Sequence, residues 1–430
     1  MSISTFFVIF VLFSTYLVKQ IADFLNLKSM TNDIPEEFNA LFDKEKYAKA
    51  QKYLKINTKF SIVYSTSFLA FTIILILSGA FKCINDLSMR FVSDNLLLYT
   101  GYLTSALIFA AIVFGLFGLL KIPFSFYRVF YIEEKFGFNK MTVKVFVFDL
   151  IKTCILSIII GAIIFGAIVS AFYFLGELAW LYAFAAIALF EIFIIFIAPV
   201  VIMPLFNKYT PLEDGELKSS IEQYAQKENF KMKGLFKMDG SKRSTKSNAF
   251  FTGFGKFRRI VLFDTLIKNH TVDELTSVLA HEMGHFKLNH IKKNMLFSFI
   301  SMGFMFYIMS LFLNQEWLYN AFLMPQNHHI YNGIIFFGFL YTPISFILSV
   351  ISNCFSRKHE NEADAYAAKT YGKPESLINA LKKLSCDNLS NLTPHKFKIF
   401  LEYSHPPVLE RIKSLKFINR EITKTQKPEK

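Results

Sequence analysis

Seven stretches of this 430-residue chain are apolar over about the length of a membrane span, and no other feature limits its possible folds as much. They cover 3–18, 60–81, 97–120, 154–175, 179–203, 295–313 and 330–351. A helix needs about 20 mainly apolar residues to cross the hydrocarbon core. One such run is compatible with a buried helix of a soluble protein, but seven together point to a multi-spanning membrane protein. Composition agrees: 53% of residues are hydrophobic, only 19% are charged, and Phe occurs 52 times. That much apolar surface excludes disorder as the main state. Cys83, Cys154, Cys354 and Cys386 form no C-x-x-C pair, so no disulfide scaffold is expected.

The loops set the orientation. With seven spans, segments 22–59, 121–153, 204–294 and the C-terminal tail share one side. The two shorter of these loops carry thirteen Lys and Arg, whereas the opposite side carries only Lys82 and Arg90. Positive charge marks the cytoplasmic side, so the N-terminus is expected outside and the long loop and tail in the cytoplasm. The net charge of +14 is explained in the same way, without a nucleic-acid partner. Glu191 lies inside the fifth stretch. A carboxyl group there needs a hydrogen-bond partner in the bundle or a place on the wall of a water-filled cavity.

The chemistry is expected in the long loop. Thr271 followed by Glu274 reads as a capping box, so a helix starts here. Leu275, Val278 and Leu279 give it an apolar face. It carries H-E-x-x-H: His281, Glu282 and His285. Histidines four residues apart project from one helix face and can grip one Zn2+. The adjacent Glu282 can take a proton from water acidified by the ion. His290 lies five residues after His285, about 140° around a continuing helix, so it reads as a surface residue or one behind the ligands.

A catalytic zinc needs a third protein ligand. Position 291 is Ile, which rules out the metzincin spacing. The best source is 356–364, SRKHENEAD, a helix expected to end at Gly372 with Pro374 beyond. Glu360 and Asp364 share a face there and Glu362 points away from both. Glu360 is the leading ligand, with His359 and Asp364 as alternatives.

The chain resembles the type I CAAX prenyl endopeptidases, integral-membrane zinc metallopeptidases of the gluzincin kind. The resemblance rests on 132–139 (IEEKFGFN), 203–212 (MPLFNKYTPL), 247–254 (SNAFFTGF), 261–266 (VLFDTL), the H-E-x-x-H helix, 356–364 and 403–411 (YSHPPVLER), all in order. It implies one Zn2+ per chain on His281, His285 and Glu360, with Glu282 as general base. It also implies that Asn248 and His405 contact substrate near the metal. Residues 248–252 are β-prone and suit an edge strand that pairs with an extended peptide. His405 precedes Pro406 and Pro407, which can start a helix and fix its direction. Asp364 and Arg411 fit a supporting role behind the ligands.

The expected fold is thus mainly α: a seven-span transmembrane bundle with a cytoplasmic gluzincin-type zinc peptidase domain carrying a small β-sheet. Its expected parts are a five-span region at 1–205, a catalytic segment at 206–294, spans six and seven at 295–353, and a catalytic segment with a basic tail at 354–430. The implied activity is hydrolysis of peptide bonds, resembling removal of a C-terminal tripeptide from prenylated proteins. The partners are peptide or protein substrates, C-terminally prenylated in the family, and membrane lipid. Two alternatives stand beside it: a membrane-protein quality-control metalloprotease and a non-enzymatic, zinc-stabilised membrane scaffold. The expected location is the cytoplasmic membrane of a bacterium or the endoplasmic reticulum membrane of a eukaryote, with the active site facing the cytoplasm.

Overall fold

The computed structural model describes residues 2–91, 98–252, 259–324 and 328–425. Leu97, at the start of the third apolar stretch, and Gly253 and Phe254 of the 247–254 motif lie outside the described residues. So does the end of the basic tail from 426 on.

The first five apolar stretches form long helices. They are α1 (Ile3–Lys28), α2 (Lys44–Leu77) with the short α3 (Ala80–Arg90) after it, α4 (Leu98–Tyr127), α5 (Val143–Phe174) and α6 (Ala179–Ile197). The second stretch ends sooner than its apolar run: Gly79 at φ +70° stops the helix, and Phe81 falls in α3. Side chains such as Phe6, Phe10 and Phe13 on α1 and Ile151, Ile155 and Ile158 on α5 project outward, as lipid-facing residues do. Glu191 on α6 accepts a hydrogen bond from Ser298 at 3.5 Å, so this carboxyl group has a partner in the bundle.

The long loop builds a small sheet and the zinc-motif helix. In order these are β1 (Tyr209–Pro211), α7 (Glu216–Lys227), β2 (Gly234–Met238), β3 (Ala249–Thr252), β4 (Arg259–Phe263), α8 (Asp264–Asn269) and α9 (Val272–Lys287). The sheet order is β1-β2-β4-β3, with β2 parallel to β4 and the other pairs antiparallel. The strand after Asn248 is therefore an edge strand, as its sequence suggests. Arg243 ties this layer to α5 by pairing with Asp149 at 2.8 Å and donating to Asn207 at 2.6 Å. Lys246 pairs with Glu133 at 2.8 Å, which puts the 132–139 motif to work as an anchor between sheet and membrane helices.

The chain then recrosses the bundle through α10 (His290–Leu313), α11 (Glu316–Ala321), α12 (Ile330–Leu340) and α13 (Thr342–Tyr371). Six described helices are long and apolar enough to span a membrane, and α12 with α13, bent by 52° at their junction, makes a seventh if the pair counts as one span. The bend is the physical departure from a single straight seventh span: Pro343 enters the first turn of α13 without an N–H to continue the α12 ladder. Gly372, at φ +75°, ends α13, and α14 (Pro374–Asp387), α15 (Lys396–Glu402) and α16 (Val408–Thr425) fold back over α9 and α13. His395 caps α15, its Nδ1 accepting the N–H of Phe397 at 3.2 Å. Buried Leu275, Leu279, Ala280 and Met283 of α9 pack in one core with Ala367, Ala368, Leu377 and Ile412. Burying each large side chain of this set contributes about 1.5–3 kcal/mol, which fixes α9 against the C-terminal helices.

Candidate metal centre

The capping box forms as its sequence requires. Thr271 Oγ1 accepts the N–H of Glu274 at 3.3 Å, and Glu274 accepts the N–H of Thr271 at 2.9 Å. From that start α9 carries His281 and His285 on one face, with their Nε2 atoms 3.2 Å apart. α13 crosses α9 here and brings Glu360, whose Oε1 lies 3.1 Å from His285 Nε2 and Oε2 3.4 Å from His281 Nε2. Gly284 permits the crossing: a Cβ there would stand 3.1 Å from Ala363 Cα and 3.2 Å from its carbonyl oxygen.

These atoms fit zinc. Ligands at 2.0–2.1 Å in a tetrahedron stand about 3.4 Å apart, close to the 3.1–3.4 Å seen here. Two ring nitrogens facing each other with a carboxylate beside them also call for a shared cation. Glu360 Oε2 is buried and makes no hydrogen bond.

The residues behind the ligands set their orientation. Asp364 lies 2.8 Å from His281 Nδ1. A proton on Nδ1 leaves the lone pair of Nε2 aimed at the centre. Arg411 on α16 grips Asp364 with two hydrogen bonds, from Nε at 2.8 Å and Nη2 at 2.6 Å, and its Nη1 is 3.5 Å from Glu360 Oε2. Burial opposes charge on His281, but the neighbouring carboxylates of Asp364 and Glu360 outweigh it and raise the pKa to about 9. The carboxylates thus build a spot that holds positive charge. Glu282 stands in the field of His281, His285, Glu360 and Arg411, and burial lifts its carboxyl above the ordinary carboxylate range. That is the direction a proton shuttle working near neutral pH needs.

His290 departs from its helix-wheel position. Asn289 adopts a left-handed conformation (φ +58°) and separates α9 from α10, so the 140° angle does not apply. His290 is buried, with Nδ1 3.1 Å from His285 Nδ1 and Nε2 2.9 Å from Glu362 Oε2. Glu362 does point away from Glu360 and Asp364, and it does so to reach His290. His359, an alternative ligand in the sequence, stacks on His290 with ring centroids 4.1 Å apart and planes 12° apart. The ligand atoms of His290, His359 and Glu362 lie within 4.8 Å of one another, but one ion cannot lie in both of two stacked ring planes, so the stacked pair is a poor bidentate ligand set. The sequence gives Glu362 no role; the available signal is Asn289, a residue tolerant of left-handed backbone just past a helix end.

The tail returns to the centre. His405 Nε2 lies 3.4 Å from Glu360 Oε1, and Ser404 Oγ is 2.9 Å from His405 Nδ1. Arg357, one turn before Glu360, donates to the carbonyls of Ile399 and Tyr403 at 3.1 and 2.6 Å and so holds this segment against α13. Asn248 is exposed at the start of edge strand β3, with Oδ1 2.9 Å from the N–H of Ala249. Among the described residues no contact links it to the three ligands.

Comparison with known proteins matches residues 23–208 to the CAAX prenyl protease N-terminal model, described as five membrane helices, and residues 211–419 to peptidase family M48. CAAX prenyl protease 1 of Saccharomyces cerevisiae is 34% identical over 90% of this chain and 89% of its own length. The CAAX prenyl protease 1 homolog of Homo sapiens is 31% identical over 90% of this chain and 89% of its own length. The crystal structure of S. mikatae Ste24p superposes with a TM-score of 0.90 at 33% identity, covering 96% of this chain and 99% of that one.

Proposed function

From the premise that this chain belongs to peptidase family M48, as an integral-membrane metalloendopeptidase, we propose that one zinc ion sits on His281, His285 and Glu360 and that Glu282 is the general base. The observation that carries this reading is the 3.1–3.4 Å spacing of the three ligand groups. Bound zinc supplies Lewis acidity, lowering the pKa of water from 15.7 to about 7. Glu282 takes the proton of the attacking water and delivers it to the leaving amine nitrogen. His405 donates from Nε2 to the carbonyl oxygen as charge develops there. Asn248 and the free edge of β3 hold the extended peptide. Asp364, gripped by Arg411, keeps His281 in its ligating tautomer.

The substrate is a peptide or protein. Its finer description follows the relatives, named as CAAX prenyl proteases: a prenylated Cys near the C-terminus, from which the last three residues are removed. The catalytic face looks into the cytoplasm, a reading supported by the thirteen-to-two loop asymmetry. We read the membrane as that of the endoplasmic reticulum in a eukaryotic cell or the cytoplasmic membrane in a bacterium. The test compares matched prenylated and unprenylated peptides ending in Cys plus three aliphatic residues. Purified protein should release the intact tripeptide, faster from the prenylated form. Equal cutting of both at scattered internal bonds contradicts the reading and favours a quality-control protease.

A further inference from the structure

Arg357, Glu360 and Asp364 follow one another on α13 at spacings of three and four, so they share one helix face. The middle residue belongs to the candidate metal centre. The outer two hold the tail on either side of His405. Asp364 binds Arg411, six residues after His405. Arg357 Nη1 donates to the carbonyls of Ile399 and Tyr403 at 3.1 and 2.6 Å, and Tyr403 lies two residues before His405. Bonds from a guanidinium are charge-assisted and stronger than neutral ones. The last carbonyls of a helix such as α15 are short of partners within it, so they are free to accept them.

His405 needs such a hold. Its ring makes polar contacts with Ser404 at 2.9 Å and Glu360 at 3.4 Å. Its side chain is 62% exposed, so packing does little to aim it. Ser404 is its chain neighbour and moves with it. The direction of the ring therefore comes from the backbone, which α13 fixes at Tyr403 through Arg357 and at Arg411 through Asp364. The body of α15 has other anchors. Asn353 Nδ2 donates to the Leu401 carbonyl at 3.1 Å, and Lys398 pairs with Asp23 on α1 at 2.7 Å. Loss of the Arg357 guanidinium thus releases the Tyr403–His405 end and leaves α15 seated.

We propose that Arg357 is a positioning residue for the reaction: its grip on the Tyr403 carbonyl sets where His405 Nε2 stands beside the metal ligands. The inference rests on the reading of His405 as donor to the reacting carbonyl oxygen. It gives the helix that supplies Glu360 a second task, the alignment of the donor with the metal.

The experiment is a double-mutant cycle on the full-length protein in detergent, with the prenylated peptide as substrate. Arg357→Met, which keeps length and removes the donors, should retain zinc and lose about 10–10²-fold in kcat, the scale of a misplacement near 1 Å, with a smaller change in KM. In the His405→Ala background the same substitution should cost about twofold at most, because the group it aims is gone. Arg357→Lys should keep part of the rate, since one ammonium can reach the Tyr403 carbonyl. Hydrogen exchange adds a readout independent of turnover: amides of 399–405 should exchange faster in Arg357→Met than in wild type. Losses that multiply in the double variant overturn the proposal and leave Arg357 a plain structural strut. Wild-type kcat or unchanged exchange in Arg357→Met overturns it too. Should Arg357→Met lose its zinc, Arg357→Lys runs through the same cycle and is judged by the same criterion. Wild-type turnover in His405→Ala alone overturns the reading of the donor, and this proposal with it.

Discussion

Replacing Glu362 with Ala should weaken zinc binding although Glu362 touches no ligand atom. Its carboxylate lies 2.9 Å from His290 Nε2, and His290 Nδ1 lies 3.1 Å from His285 Nδ1. The charge on Glu362 favours the proton of His290 on Nε2. The lone pair of His290 Nδ1 then accepts from His285 Nδ1–H, which leaves His285 Nε2 free to ligate. Without the carboxylate the His290 proton is free to move to Nδ1, where two N–H groups collide and His285 loses its orientation. Partners of this kind are worth 10–100-fold in metal affinity. Glu362 has a side chain 36% exposed, so water replaces part of the lost acceptor. The lower end is expected, about tenfold, or about 1.4 kcal/mol. Competition with a calibrated chelator in detergent reads the zinc dissociation constant directly. Glu362→Gln should bind nearly as wild type, because its amide oxygen accepts the same hydrogen bond. Wild-type affinity in Glu362→Ala, or equal weakening in Glu362→Gln, refutes the reasoning.

Three further outcomes are expected. His405→Ala should keep its zinc and lose about 10²–10³ in kcat, the scale of one oxyanion donor, with a smaller change in KM; a raised KM at unchanged kcat would make His405 a ground-state clamp. Gly284→Ala should push α13 away from α9, since its Cβ would meet Ala363 backbone at 3.1 Å. Overpacking costs about 1–3 kcal/mol, so a thermal melt should show a lowered Tm alongside a weakened zinc site, and an unchanged protein would mean that the two helices adjust freely. A single Cys introduced within 214–230, with the native cysteines replaced, should resist an impermeant reagent in intact cells and react after permeabilisation; labelling of intact cells would invert the topology.

Much of the molecule is legible in its residues, for identifiable reasons. Span-length apolar runs announce the membrane helices because lipid leaves the backbone no other partner. The capping box at Thr271 and the i,i+4 pair His281–His285 are local, so sequence spacing alone places them. Asp364 and Arg411 read only as supporting residues, because a pairing across 47 positions leaves no periodic trace. His290 is misplaced by the helix wheel for one reason: Asn289 turns left-handed and restarts the helix in a new direction. The bend between α12 and α13 is marked by Pro343, but its size, 52°, leaves no trace in the apolar pattern. Glu362 is legible only once His290 is in place.

The central claim is that Glu282 moves the proton while His281, His285 and Glu360 hold the metal. Metal analysis and peptidase turnover on one preparation of Glu282→Gln test it most directly. The account predicts one zinc per chain, as in wild type, with turnover down by about 10²–10⁴, the contribution of a positioned general base. Full zinc with turnover close to wild type would contradict it.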